Sequence, residues 1–288
     1  MQKNIATLAI LLLLYGCSKK DSTPSGINID GGTSGPSNTW LSTISAPTQA
    51  DSTFTVIHFN SDHSVAQIIQ TEYAFGAGYF GEDTTYITAT LPVYQGGRLV
   101  SIETTPDTTA ATGTVAAAFD YTTAGALQRI RYNPGTSSYT YDSVTTGAGG
   151  LLSASYHFAL NTAGTAMTEQ YFENYTWDGK KDLQSILVNN IDPSNGSVSS
   201  LTVTYTYDGF YNPYKTVKDL PFMFGQLGDI VPLLSASNPL GSTLVGYSSA
   251  NNYSYQYNPN NLPASQNLQI LQSGSIKQST FVYFKYTN

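Results

Sequence analysis

Residues 201–207 constrain the fold more than any other stretch of this 288-residue chain. Leu201, Val203, Tyr205 and Tyr207 alternate strictly with Thr202, Thr204 and Thr206. A period of two puts successive side chains on opposite faces of an extended chain, so this segment is a strand with one buried face and one wet face. The same pattern sets Leu152, Ala154, Tyr156 and Phe158 against Ser153, Ser155 and His157, and Ile130 and Tyr132 against Arg129 and Arg131. Tyr253, Tyr255 and Tyr257 alternate with Ser254 and Gln256.

Turn formers punctuate these runs: Asn133-Pro134-Gly135, Asp178-Gly179, Asp192-Pro193, Asn195-Gly196, Asp208-Gly209, Asn212-Pro213 and Asn258-Pro259. Strands joined by short loops in this rhythm predict an antiparallel meander. The expected fold is all-β: a twisted sheet, a sandwich or an open barrel. Only residues 222–234 look helical. Gly225, Gly228 and Pro232 interrupt them, so one or two helical turns are expected there, or a loop plugging one end of a sheet.

The N-terminus reads as an export signal. Lys3 precedes an apolar run over residues 5–14, too short to span a bilayer, and Leu14-Tyr15-Gly16-Cys17 follows with a small residue before the cysteine. That tetrapeptide resembles a bacterial lipobox, which implies removal of residues 1–16 and diacylation of Cys17. Cys17 is the only cysteine, so an exported chain uses no disulfides. Ser18 after it resembles an outer-membrane sorting choice, with the domain facing the periplasm or the cell surface. Residues 17–39, rich in Gly, Ser, Thr and Pro, form a tether, and residues 40–288 form one β-rich domain.

Charged residues make up 11% of the chain and the net charge is −7, without a concentrated basic surface, which argues against a nucleic-acid partner. The sequence has no HExxH, Cys cluster or EF-hand loop, and no cofactor is expected. His58, Asp62 and His63 are read as a polar hairpin tip rather than a metal site. No Gly-x-Ser-x-Gly elbow or other catalytic set appears, so an enzyme is not the expected reading.

Four units share an aromatic-x-aromatic pair followed by Asp or Asn: Tyr139 to Asp142, Tyr175 to Asp178, Tyr205 to Asp208 and Tyr255 to Asn258. Aromatics two apart share a face and can stack across strands, while the Asp or Asn side chain starts a turn. With Asn212-Pro213-Tyr214, Tyr253 to Tyr257, Pro263 and the closing strand Phe281 to Tyr286, residues 119–288 resemble the YD hairpins of Rhs-like proteins. They resemble more closely a group of Bacteroidota outer-membrane and surface lipoproteins. The resemblance implies an anchored envelope protein and specifies no activity.

The chain has 22 Tyr, 12 Phe and 2 Trp beside abundant Asn and Thr, the side chains with which proteins stack and hydrogen-bond sugars. Trp177, Tyr175 and Glu173 share one face of a strand and are the expected ligand contacts. Glu169, four residues before Glu173, is expected on the same face. Asp-Ser/Thr motifs at Ser22, Ser52, Thr84, Thr108 and Ser143 resemble Bacteroidota O-glycosylation acceptors. The function expected is a membrane-anchored lipoprotein with a non-catalytic binding or structural role, its ligand a glycan. The alternatives are a polysaccharide-active hydrolase and a structural subunit of an envelope complex.

Overall fold

The computed structural model describes residues 39–47, 51–74, 84–161 and 164–287. The expected signal peptide, Cys17, the expected tether and Ser22 lie outside the described residues. Sixteen described strands close into one antiparallel barrel in strict sequence order, with β1 completing the ring against β16. They are β1 Trp40–Pro47, β2 Asp51–Phe59, β3 Val65–Ala74, β4 Thr84–Gln95, β5 Arg98–Thr105, β6 Thr114–Tyr121, β7 Leu127–Tyr132, β8 Thr140–Thr146, β9 Leu152–Leu160, β10 Met167–Trp177, β11 Leu183–Ile191, β12 Val198–Tyr211, β13 Ser237–Leu244, β14 Ser249–Tyr257, β15 Pro263–Gln272 and β16 Ser275–Thr287. The expected all-β meander is therefore a closed barrel, which leaves no strand edge unpaired.

A barrel of this many strands is too wide for wall side chains to meet across its axis. The β12–β13 connection, residues 212–236, fills it. Its 3₁₀ turns Pro213–Thr216, Leu220–Met223 and Val231–Leu234 and its single α-helical turn α1, Leu227–Ile230, form a plug. Val217, Leu220, Phe222, Met223, Leu227, Ile230, Val231 and Leu234 are all buried, packed with inward wall residues such as Leu41, Ile57, Ile68, Leu99, Ile130, Leu183 and Phe284. Each such side chain contributes about 1.5–3 kcal/mol on burial. Phe222 meets Phe119 edge-on at 5.8 Å.

The neck of the plug is stitched by polar groups. Asn212 Nδ2 donates to Ser235 O at 3.0 Å, and Asn212 Oδ1 accepts from Tyr214 N at 3.0 Å. Ser235 Oγ donates to Tyr207 Oη at 2.8 Å and accepts from Leu183 N at 3.1 Å.

The plug enters at the rim that carries Trp40 and Thr287. Toward the opposite rim the inward-facing residues turn polar: Gln70 and Glu72 on β3, Thr88 on β4, Asn190 on β11, Ser199 on β12 and Gln278 on β16. Thr88, Asn190, Ser199 and Gln278 are exposed. The barrel is thus a cup, apolar and filled in one half, polar and solvated in the other.

Alternation assigns most strands as expected, with Tyr205, Tyr207, Tyr253 and Tyr255 inward and the threonines of β12 outward. Strand β9 is reversed. Ser155 and His157 point into the barrel, at 3% and 8% exposure, while Tyr156 and Phe158 face outward. The pairings explain the reversal. Inside, Ser155 lies opposite Glu173 and His157 opposite Asp142. Outside, Phe158 stacks on Tyr141 at 4.7 Å and Tyr156 on Phe172 at 5.9 Å. Asp142 is correspondingly a mid-strand residue rather than the start of a turn. Asp178 and Asn258 do cap turns, each accepting two backbone N–H groups. A bulge at Gln170 also places Glu169 on the outer face opposite Phe158, so it does not share the face of Glu173.

The turn at residues 106–113 sits close against β5. A Cβ at Gly113 would stand 2.5 Å from Thr104 O, backbone that cannot yield, whereas one at Gly179 meets nothing within 4 Å. Gly113→Ala should therefore lower stability by about 2 kcal/mol or more and Gly179→Ala by under about 0.5 kcal/mol, read by chemical denaturation.

Candidate functional site at the plug tip

The helical turn α1 brings the plug against β7 to β10, where polar side chains gather inside the barrel. Tyr132 Oη donates to Asp142 Oδ2 at 2.6 Å and accepts from Leu227 N at 2.9 Å, tying wall to plug. Asp142 Oδ1 lies 2.7 Å from His157 Nδ1, and the His157 ring stacks on Tyr171 at 4.7 Å. Beside this pair Tyr175 Oη donates to Glu173 Oε2 at 2.7 Å, with Ser155 Oγ 2.6 Å from Tyr175 Oη.

The plug meets Glu173 at Gly228. A Cβ there would lie 3.3 Å from both carboxylate oxygens, so the backbone is seated on the acid. The next residue, Asp229, has a buried Oδ1 with no hydrogen-bond partner among the described residues. Gly225 and Gln226, just before α1, are exposed.

Burial pushes Glu173 up to about 7, and the charges of Asp142 and Asp229 push the same way against the hydrogen bonds from Tyr175 and Ser155. Burial, then Asp142, lifts Asp229 to about 6. Burial also raises Tyr132, Tyr171 and Tyr175, as the carboxylates around them do. Among the described residues no group of three or more His, Cys, Asp or Glu has the geometry to hold a metal ion.

The three expected ligand contacts do share the inward face of β10. Tyr175 and Glu173 are joined directly, both below 8% exposure. Trp177 is half-buried against the core, its Nε1 donating to Leu152 O at 2.7 Å. Asp142, His157, Tyr132 and Asp229 complete the cluster, and the sequence reading had not placed them there. One signal pointed to it: an acid on an otherwise aromatic strand face, Glu173 among Tyr171, Tyr175 and Trp177, marks a polar spot in a core. His58 is exposed on the outer wall, whereas His63, in a tight turn at φ 64°, stacks on Trp40 at 4.2 Å. Of the proposed glycosylation acceptors, Ser52 and Ser143 lie on outer strand faces and Thr84 begins β4. Thr108 lies in the β5–β6 turn, its carbonyl accepting from Gln67 Nε2 at 2.8 Å.

No family model and no curated protein sequence matches the chain. Among solved structures, a porin-like protein from Bacteroides uniformis is 9% identical and superposes with a TM-score of 0.58 over 85% of this chain and 96% of its own. A porin-like protein from Bacteroides vulgatus is 12% identical over 86% of this chain and 98% of its own, TM-score 0.36. The TcdB2-TccC3 structure is 13% identical over 83% of this chain and 14% of its own, TM-score 0.32. The first likeness is one of fold; the other two superpose too loosely to bear on it.

Because Glu173 and Asp229 bind protons more tightly when folded, their contribution to stability should be complete below about pH 4 and be lost as pH rises through about 6 and about 7. For Glu173 alone the lift corresponds to about 3 kcal/mol. Denaturation from pH 4 to 8 should show this fall, and Glu173→Gln, which keeps an acceptor for Tyr175, should flatten it. An unchanged profile in the variant would assign the slope to other groups.

Proposed function

We propose that the protein is a lipoprotein held at the outer membrane by lipid on Cys17, whose barrel stands in water and binds a ligand, a glycan, rather than conducting. The observation that supports this reading is the share of polar residues on an outer wall that also exposes Phe54, Ile87, Leu187, Phe281 and Tyr283. Outward residues include Thr202, Thr204 and Thr206 on β12, Asn252, Ser254 and Gln256 on β14, Asn267 and Gln269 on β15, and Ser279 and Lys285 on β16. A membrane-spanning barrel needs an apolar outer band about 25 Å tall, and a Lys or Arg at mid-bilayer depth costs about 2–4 kcal/mol. The buried plug fills one half of the lumen among the described residues, which supports binding over conduction, and lipid on Cys17 would hold such a barrel at a membrane. The solvated half of the cup supplies inward amides and hydroxyls suited to a hydroxylated ligand.

A second reading, a polysaccharide-active hydrolase, gains support from the gathering of Glu173, Asp142 and Asp229 in one place, since glycoside hydrolysis uses a pair of carboxyl groups held at different protonation. It predicts turnover of a bound glycan that Glu173→Gln and Asp229→Asn abolish without loss of binding. Binding that never leads to cleavage leaves the first reading.

Cys17→Ala should move the protein from the membrane to the soluble fraction with its β-sheet circular dichroism unchanged. The purified lipoprotein should give no conductance steps in planar bilayers. Retention of the variant in membranes, or channel activity, would overturn the proposal.

A further inference from the structure

The apolar side chains of the outer wall are not evenly spread. Tyr283 on β16, Phe54 on β2 and Ile87 on β4 stand in one outward row, linked by Ser45 on β1 and Thr71 on β3. The next outward positions hold Phe281 on β16 and Tyr73 on β3. All five large side chains are 41–48% exposed. Five neighbouring strands at about 4.8 Å spacing make this strip roughly 20 Å wide. On the far flank Leu187 stands by itself, between Asn174 and Thr202.

Two further observations bear on what covers the strip. The first is charge. On these five strands the one acid with a described side chain, Glu72, faces into the barrel, and Lys285 stands outward at the border of the strip, opposite Thr43. Such a face offers nothing that repels an anionic surface. The second is the point where the N-terminal segment joins the domain. Residues 17–39 lead into Trp40 at the start of β1, the strand that lies between Tyr283 and Phe54. Ser45 is about 17 Å along β1 from Trp40, and a coil of the length of residues 17–39 would span about 25 Å. Lipid on Cys17 would therefore bring a bilayer within reach of this flank.

We propose that the strip on β16 and β1 to β4 is a docking surface for an anionic lipid bilayer, on which the anchored barrel rests side-on. Tyr and Phe rings enter the headgroup layer, where an amphipathic or apolar ring is at home, and Lys285 meets lipid phosphate. The barrel stays outside the hydrocarbon, with the mouth of its cup open to solvent. A contact of this size is weak alone, so it orients the barrel and leaves anchoring to the lipid, and Cys17→Ala still releases the chain. The inference adds an orientation to the reading of the protein as a lipoprotein held by Cys17 and rests on that reading.

The test is fluorescence of the full lipoprotein in vesicles of phosphatidylethanolamine and phosphatidylglycerol whose acyl chains carry bromine at chosen depths. Tyr283→Trp and Phe54→Trp report the strip and Leu187→Trp the far flank, each read against the parent chain with its Trp40 and Trp177. Bromine near the headgroups should quench the two strip reporters at least about threefold more strongly than the far one, and bromine at the bilayer centre should quench none of them. Phe281→Ser with Tyr73→Ser should roughly halve the quenching of Phe54→Trp while the protein stays in the membrane fraction with its β-sheet circular dichroism unchanged. Lys285→Glu should lower that quenching in these vesicles and not in vesicles of phosphatidylcholine. Equal shallow quenching of all three reporters, no quenching of the strip reporters, or their shielding by a dimer that forms without lipid would each overturn this inference and leave the anchor standing. Quenching of all three from the bilayer centre would instead reveal a spanning barrel and fail the reading on which the inference rests.

Discussion

The packing of residues 212–236 inside the barrel is the interaction on which the rest of the structure depends. Sixteen strands enclose more space than their own inward side chains can fill, and an empty apolar lumen would forfeit dispersion contacts along its whole lining. The plug supplies the missing partners for Leu41, Ile57, Ile130 and Leu183. It also delivers Leu227 N to Tyr132, Gly228 to Glu173 and Asp229 to the same acidic neighbourhood. Without it there is neither a core nor a site.

Because the plug fills only one half, the barrel has two interiors. The filled half behaves as an ordinary hydrophobic core with a polar inclusion, in which Asp142, His157, Tyr132, Glu173, Tyr175 and Ser155 satisfy one another. Such a network is tolerated because nearly every member has a partner; the exception, Asp229 Oδ1, lies at the seam between plug and wall. The other half is lined by amides and hydroxyls facing water. The outer wall mixes threonines, asparagines and Lys285 with exposed apolar side chains such as Phe54, Ile87 and Phe281.

How far the sequence could be read depended on whether a strand's neighbours obeyed the simple rule that apolar faces point inward. On β12 and β14 they did, and the alternation of Tyr205 and Tyr207 with Thr204 and Thr206 gave the facing directly. On β9 it gave the reverse. The burial of Ser155 and His157 depends on Glu173 and Asp142, respectively 18 and 15 residues away, and the outward Tyr156 and Phe158 gain their apolar contact from Phe172 and Tyr141. The Gln170 bulge is similarly silent in the sequence, yet it separates Glu169 from Glu173. Half of the candidate site, the β10 face with Glu173 and Tyr175, was legible from spacing alone. The other half needed the register of β7, β8 and β9 and the path of the plug.

The sequence by itself determined the local structure: period-two strands, Asp and Asn turns, and one short helix-poor apolar segment. These are properties of a few consecutive residues, governed by pleat geometry and turn chemistry. Closure of the sheet into a barrel, the burial of residues 212–236 within it, and the convergence of Asp142, Glu173 and Asp229 were decided only by tertiary structure. Each requires partners tens of residues apart, and burial of polar groups becomes favourable only once all of those partners are in place.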